Sequence, residues 1–141
     1  MLDAELIDII GRPAPRPRVT DPIIVRMQVR LPAGSASTRL GISVLSADGV
    51  QVFTSNLDDV GLQLPEGPAL VRADVRIPAD TLLAGDYHVS TCLWNELGIL
   101  DLQEPALSFS TEAGTSVLYQ RGTERKGLVH VECRWVMETL T

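Results

Sequence analysis

The run His88-Val89-Ser90-Thr91-Cys92-Leu93-Trp94 holds the side chains best suited to recognising a ligand, and its alternation decides which of them act together. Successive side chains of an extended strand point to opposite faces. Tyr87, Val89, Thr91 and Leu93 therefore share one face, which the aliphatics mark as core. His88, Ser90, Cys92 and Trp94 share the other. A large aromatic on a polar face can stack against the C–H bonds of a sugar ring while its neighbours take the hydroxyls. The alternative is that Trp94 sits at the strand end and covers a hairpin edge.

Two further strands carry polar faces. Val25, Met27, Val29 and Leu31 alternate with Arg26, Gln28 and Arg30, and Val129, Val131, Cys133, Trp135 and Met137 alternate with His130, Glu132 and Arg134. Trp135 is thereby assigned to the core. Charged strand faces are usually just solvated. Were these strands neighbours, their faces would form one polar surface with Trp94 at its edge. The candidate carbohydrate-binding set is thus Trp94, His88, Ser90, Arg134, His130, Arg26 and Gln28.

Searches for catalytic chemistry find little. No GxxxxGK[ST] loop is present, and no GxGxxG follows a strand. His88 and His130 lack neighbouring ligands at metal spacing, so no zinc and no other cofactor is expected. Asp58-Asp59 with Glu66 lacks the alternate spacing of a calcium loop and reads as a solvated acidic segment. Nothing singles out a carboxylate pair for glycoside hydrolysis, which leaves a small glycan-processing enzyme as the least supported class.

The elements that must position these residues are short alternating strands: 6–10, 24–31, 39–46, 50–56, 70–77, 86–94, 99–102, 107–110 and 128–137. No helix-period segment appears. Ala47-Asp48-Gly49 is a hairpin turn, because Asp-Gly tolerates positive φ. Three prolines in Arg12-Pro13-Ala14-Pro15-Arg16-Pro17-Arg18 forbid a central strand there. The connector 11–22 reads as a crossing between sheets rather than an SH3-ligand segment. Residues 111–126 form a long loop with a strand-like piece at Val117-Leu118-Tyr119. Leu82-Leu83-Ala84-Gly85-Asp86-Tyr87 has the form of a tyrosine corner, in which the hydroxyl bonds back to the main chain of the same turn. Eight or nine such strands predict an all-β, antiparallel, immunoglobulin-like Greek-key sandwich.

The 141 residues fit one domain, 1–141, with 45% apolar residues to build its core. Only six residues are aromatic, so that core must be mainly Val, Leu and Ile. A net charge of −6 disfavours nucleic acid or an anionic membrane surface as partner. No apolar run approaches the roughly 18 residues of a membrane span. The first residues, Met1-Leu2-Asp3-Ala4-Glu5, lack the positive region of a signal peptide. Cys92 and Cys133 are expected as small apolar residues of a reduced, cytoplasmic protein, not as a disulfide.

Three stretches together resemble a known domain. They are 40–56 (Leu40-Gly41-Ile42-Ser43-Val44-Leu45 through Asp48-Gly49 to Asn56), Ile77-Pro78 with 82–90, and Gly127-Leu128-Val129 to Arg134-Trp135. Their order and spacing resemble the C-terminal domain of Wzt-type ATPases, the nucleotide-binding subunits of ABC transporters that export O-antigen polysaccharides. The likeness spans roughly residues 3–137. It implies a non-catalytic, cytoplasmic β-sandwich that binds the non-reducing end of the finished glycan, often chemically capped, and so licenses export. It also implies a homodimer, in some relatives with exchanged terminal strands, matching two ATPase subunits per transporter. The ATPase half has no counterpart here, consistent with an excised domain or a free-standing relative. No sugar-contacting motif of that family can be laid on these positions, so the candidate site rests on strand parity alone. The low aromatic content favours recognition through hydroxyl hydrogen bonds, or a phosphate-like cap met by arginine. The competing expectation is a protein-interaction or dimerisation sandwich with no sugar ligand.

Overall fold

A computed structural model describes residues 2–35, 37–112 and 131–141. The strands are β1 (Leu2–Ile7), β2 (Ile23–Leu31), β3 (Arg39–Ser46), β4 (Gln51–Asn56), β5 (Ala69–Ile77), β6 (Gly85–Asn95), β7 (Gly98–Thr111) and β8 (Arg134–Thr139). A short 3-10 helix, Leu57–Val60, follows β4. The strands pair antiparallel in two sheets, sheet I in the order β1-β2-β5-β8 and sheet II in the order β4-β3-β6-β7. This is the expected all-β, immunoglobulin-like sandwich.

Each sheet gives one face to a shared core. Val25, Met27, Val29, Val71, Ala73, Val75 and Ile77 of sheet I meet Leu40, Ile42, Val44, Val89 and Leu93 of sheet II, each 1% exposed or less. Burying one such Val, Leu or Ile side chain contributes about 1.5–3 kcal/mol. Trp135 joins them as expected, and its indole N–H crosses the core to donate to Ser55 Oγ at 2.9 Å. That bond satisfies a donor that burial would otherwise leave stranded. Cys133 is buried, Cys92 is partly buried, and both are free thiols.

The tyrosine corner forms. Tyr87 Oη donates to the carbonyl of Leu83 at 2.7 Å, and its ring stacks on Phe109 with centroids 5.6 Å apart. Leu82 is buried beside it. The Asp48-Gly49 hairpin also forms, with Gly49 at φ +81° and its N–H donating to the carbonyl of Ser46 at 2.9 Å. A side chain would strain that left-handed position.

Several boundaries differ from expectation. β1 ends at Ile7 because the Asp8 carboxylate accepts from the N–H groups of Ile10 and Arg12 and turns the chain, leaving Ile9 and Ile10 exposed. The proline connector does not cross between sheets, since β1 and β2 are bonded neighbours in sheet I. It folds back on β1 (Ala14 N to Leu6 O, 3.0 Å) and then touches the other sheet through Val19 N to Glu112 O, 2.9 Å. The expected strands 99–102 and 107–110 are one strand, β7. Pro105 is tolerated inside it because β7 is an edge, where a missing N–H breaks no ladder. The last strand begins at Arg134, later than expected. The Val117-Leu118-Tyr119 piece and His130 lie outside the described residues.

Removing the Tyr87 hydroxyl tests the corner. Thr111 Oγ1 also donates to the Leu83 carbonyl, so Tyr87→Phe leaves that acceptor satisfied. The variant should lose about 1 kcal/mol of unfolding free energy, with an unchanged denaturant slope in urea melts. No loss would show that the corner is held by packing alone.

Candidate functional site

The outward face of sheet II is built in cross-strand rows. Asn56, Gly41, Cys92 and Leu102 stand in one row across β4, β3, β6 and β7. Thr54, Ser43 and Ser90 stand in the next, followed by Leu45, His88 and Ser108. Trp94 ends the β6 series, opposite Arg39. His88, Ser90 and Trp94 thus share one outward surface, as parity requires, and Trp94 is partly exposed rather than sealed in the core.

Two local departures from a regular sheet hollow this face into a groove of about 590 Å³. Gln103 pairs with Thr91 and Leu107 with Val89, so residues 104–106 face the single Ser90. That bulge places Glu104 and Pro105 in the groove wall beside Leu102. The second departure is Gly41, buried on the outward face of β3. A Cβ there would lie 2.2 Å from Asn56 Oδ1 and 3.2 Å from Trp94 Cη2. Its missing side chain lets the Asn56 amide and the Trp94 ring close over the strand.

The groove combines hydroxyls, an amide and apolar surface. Ser43 and Thr54 hydroxyls lie 3.1 Å apart, and the Gln51 amide donates to Thr54. His88 Nδ1 is 2.6 Å from Ser108 Oγ. The other ring nitrogen and the Ser90 hydroxyl have no partner among the described residues. The volume falls within the range of small-molecule sites. Trp94 also borders a hollow of about 290 Å³ with Arg39, Asn95 and Glu96, so its ring divides two concavities. Burial, then the Glu104 and Asp101 charges, push the Cys92 thiol above its ordinary pKa.

Three of the remaining candidates are elsewhere, and His130 lies outside the described residues. Arg26, Gln28 and Arg134 stand on the outward face of sheet I, across the sandwich from Trp94, so they cannot share its surface. Arg26 is engaged by Asp74 through two bonds of 2.9 and 3.0 Å, which hold its pKa above the usual value. Arg134 stands opposite Arg76. One polar surface uniting all these residues is therefore corrected to two faces. Gly41, Ser43, Thr54, Asn56 and Glu104 were not anticipated. A glycine inside a strand pattern and a proline at 105 were the available signals.

Among the described residues no group of three or more His, Cys, Asp or Glu is placed to hold a metal ion, and no helix is long and apolar enough to cross a membrane.

No protein-family model matches the chain, and no curated protein matches it. Among solved structures it is similar to the crystal structure of the C-terminal domain of Wzt, with a TM-score of 0.63 and 17% identity. The match covers 82% of this chain and 72% of that one. This likeness shows the fold, which is that of the domain the sequence resembles.

The raised Cys92 pKa gives a direct check. Only the thiolate is alkylated, so the rate of Cys92 modification by iodoacetamide should rise at higher pH than for a free cysteine peptide. Glu104→Gln should move that midpoint down. A midpoint at or below the peptide's would contradict the described environment.

Proposed function

We propose that this chain is a non-catalytic carbohydrate-binding module that recognises the non-reducing end of an O-antigen-type polysaccharide for ABC-transporter export. The groove on sheet II carries this reading: a partly exposed Trp94 beside hydroxyl and amide groups, on strands rather than loops. The sequence resemblance to Wzt-type domains and the shared fold support it. On this reading the whole chain acts as one binding domain at the cytoplasmic face of the inner membrane, beside an ATPase domain. A homodimer would present two such grooves, raising the effective concentration of a weak sugar site.

A protein-interaction role has one specific observation in its favour. Leu97 is 96% exposed and Ile99 64% exposed at the β6–β7 hairpin tip. An apolar tip of that kind fits a subunit contact and is compatible with a sugar site on the adjoining face.

Calorimetric titration with oligosaccharides cut from an O-polysaccharide distinguishes the faces. Trp94→Ala should weaken binding about tenfold or more, through lost stacking and lost apolar contact, with little change in Tm. Arg134→Ala, on the opposite sheet, should leave affinity unchanged. The reverse pattern would move the site to sheet I.

A further inference from the structure

We infer that the groove on sheet II takes an uncharged sugar residue and discriminates against one carrying a carboxylate or phosphate. This rests on reading the groove as the glycan site and goes beyond it by naming the ligand's charge.

Among the described residues no arginine or lysine lines the groove, and its ionisable side chains are Glu104, His88 and Cys92. Glu104 stands on the bulged wall, opposite Ser90 across the β6–β7 pair. An anionic sugar would meet this carboxylate with no described lysine or arginine in the groove to offset it, in a concavity where water screens less than in bulk. The Cys92 thiol senses the same field, since Glu104 and Asp101 both add to the effect of burial on it.

The described strand arginines near the candidate set in sequence are paired or on other surfaces. Arg26 and Arg72 are paired with Asp74 and Glu138 on the far sheet. Arg134 is on that sheet too. Arg39, on β3 of the same sheet, stands opposite Trp94, outside the groove lining and 3.9 Å from Asp58. The phosphate-like cap met by arginine that the sequence admits has no arginine in the groove among the described residues.

A neutral ring fits the same groups. A carboxylate accepts strongly from sugar hydroxyls, and the hydroxyls of Ser43, Thr54 and Ser90 can donate or accept. Trp94 and Leu102 offer apolar surface to the C–H face. Rejection of the wrong ligand then comes from an unbalanced charge rather than from shape.

The test uses the intact chain and two readouts. The first is titration with matched oligosaccharide pairs that differ only in whether the terminal residue is a neutral hexose or the corresponding uronate. The neutral member should bind at least about tenfold more tightly, and Glu104→Arg should reverse that order. The second readout needs no sugar. Neutral iodoacetamide and anionic iodoacetate are allowed to alkylate the protein, and the Cys92 peptide is quantified by mass spectrometry. The rate ratio of iodoacetate to iodoacetamide at Cys92 should fall about threefold or more below that of a free cysteine peptide. Glu104→Gln should restore much of it. Acidic oligosaccharides binding as tightly as neutral ones would overturn this inference and leave the glycan reading intact. An alkylation ratio equal to the peptide's would remove its electrostatic basis whatever the sugars do. Binding of neither oligosaccharide would sink the glycan reading and this inference with it.

Discussion

Each sheet of this molecule has one face that water rejects, and the two can be hidden only against each other. That constraint decides nearly everything else. Val25, Met27 and Val29 must face Leu40, Ile42 and Val44, so Arg26 and Gln28 must face outward on one side and Gly41 and Ser43 on the other. A one-residue slip in any register would put charged groups into an aliphatic core. The bond between Trp135 and Ser55 shows how closely the layers are matched, since a polar hydrogen is exchanged across an otherwise apolar interior.

The groove comes from exceptions to that regularity. A uniform sheet face is nearly flat and offers a ligand little to grip. Here the β7 bulge raises one wall, and the missing side chain of Gly41 lets Asn56 and Trp94 close over β3. Both exceptions lie on the outward face, so they shape a surface while leaving Leu40, Ile42, Val89 and Leu93 packed at 1% exposure or less. The core supplies stability and the edge strand supplies shape. An edge is also where a proline and an extra residue are tolerated most cheaply.

How much of this was legible in the sequence follows from range. Strand parity is local, and it puts Trp135 in the core and Trp94 on the outside, while the 82–87 motif, local too, marks the corner. The Asp48-Gly49 turn is equally local. Which strands neighbour one another is a long-range matter, and there parity is silent. Arg26, Gln28 and Arg134 were grouped with Trp94 because nothing local distinguishes the outer face of one sheet from that of the other. The end of β1 was misplaced because Ile9 and Ile10 look like strand residues, while the Asp8 side chain captures their backbone into a turn. The expected strands 99–102 and 107–110 are one strand, because an edge position lets it run through Pro105. Gly41 could be read as a residue of β3, but its function as the opening beneath Asn56 and Trp94 depends on contacts between strands.

We propose that the outward face of sheet II, and not that of sheet I, receives the ligand. The most direct measurement is an NMR titration of the isotope-labelled chain with O-polysaccharide oligosaccharides, following backbone amides and both indole N–H signals. Shifts should concentrate at Gly41, Ser43, Thr54, Asn56, Ser90, Cys92 and the Trp94 indole, with the Trp135 indole and the amides of Gln28, Arg72 and Arg134 unmoved. Shifts centred on Gln28, Arg72 and Arg134, with Trp94 silent, would contradict it.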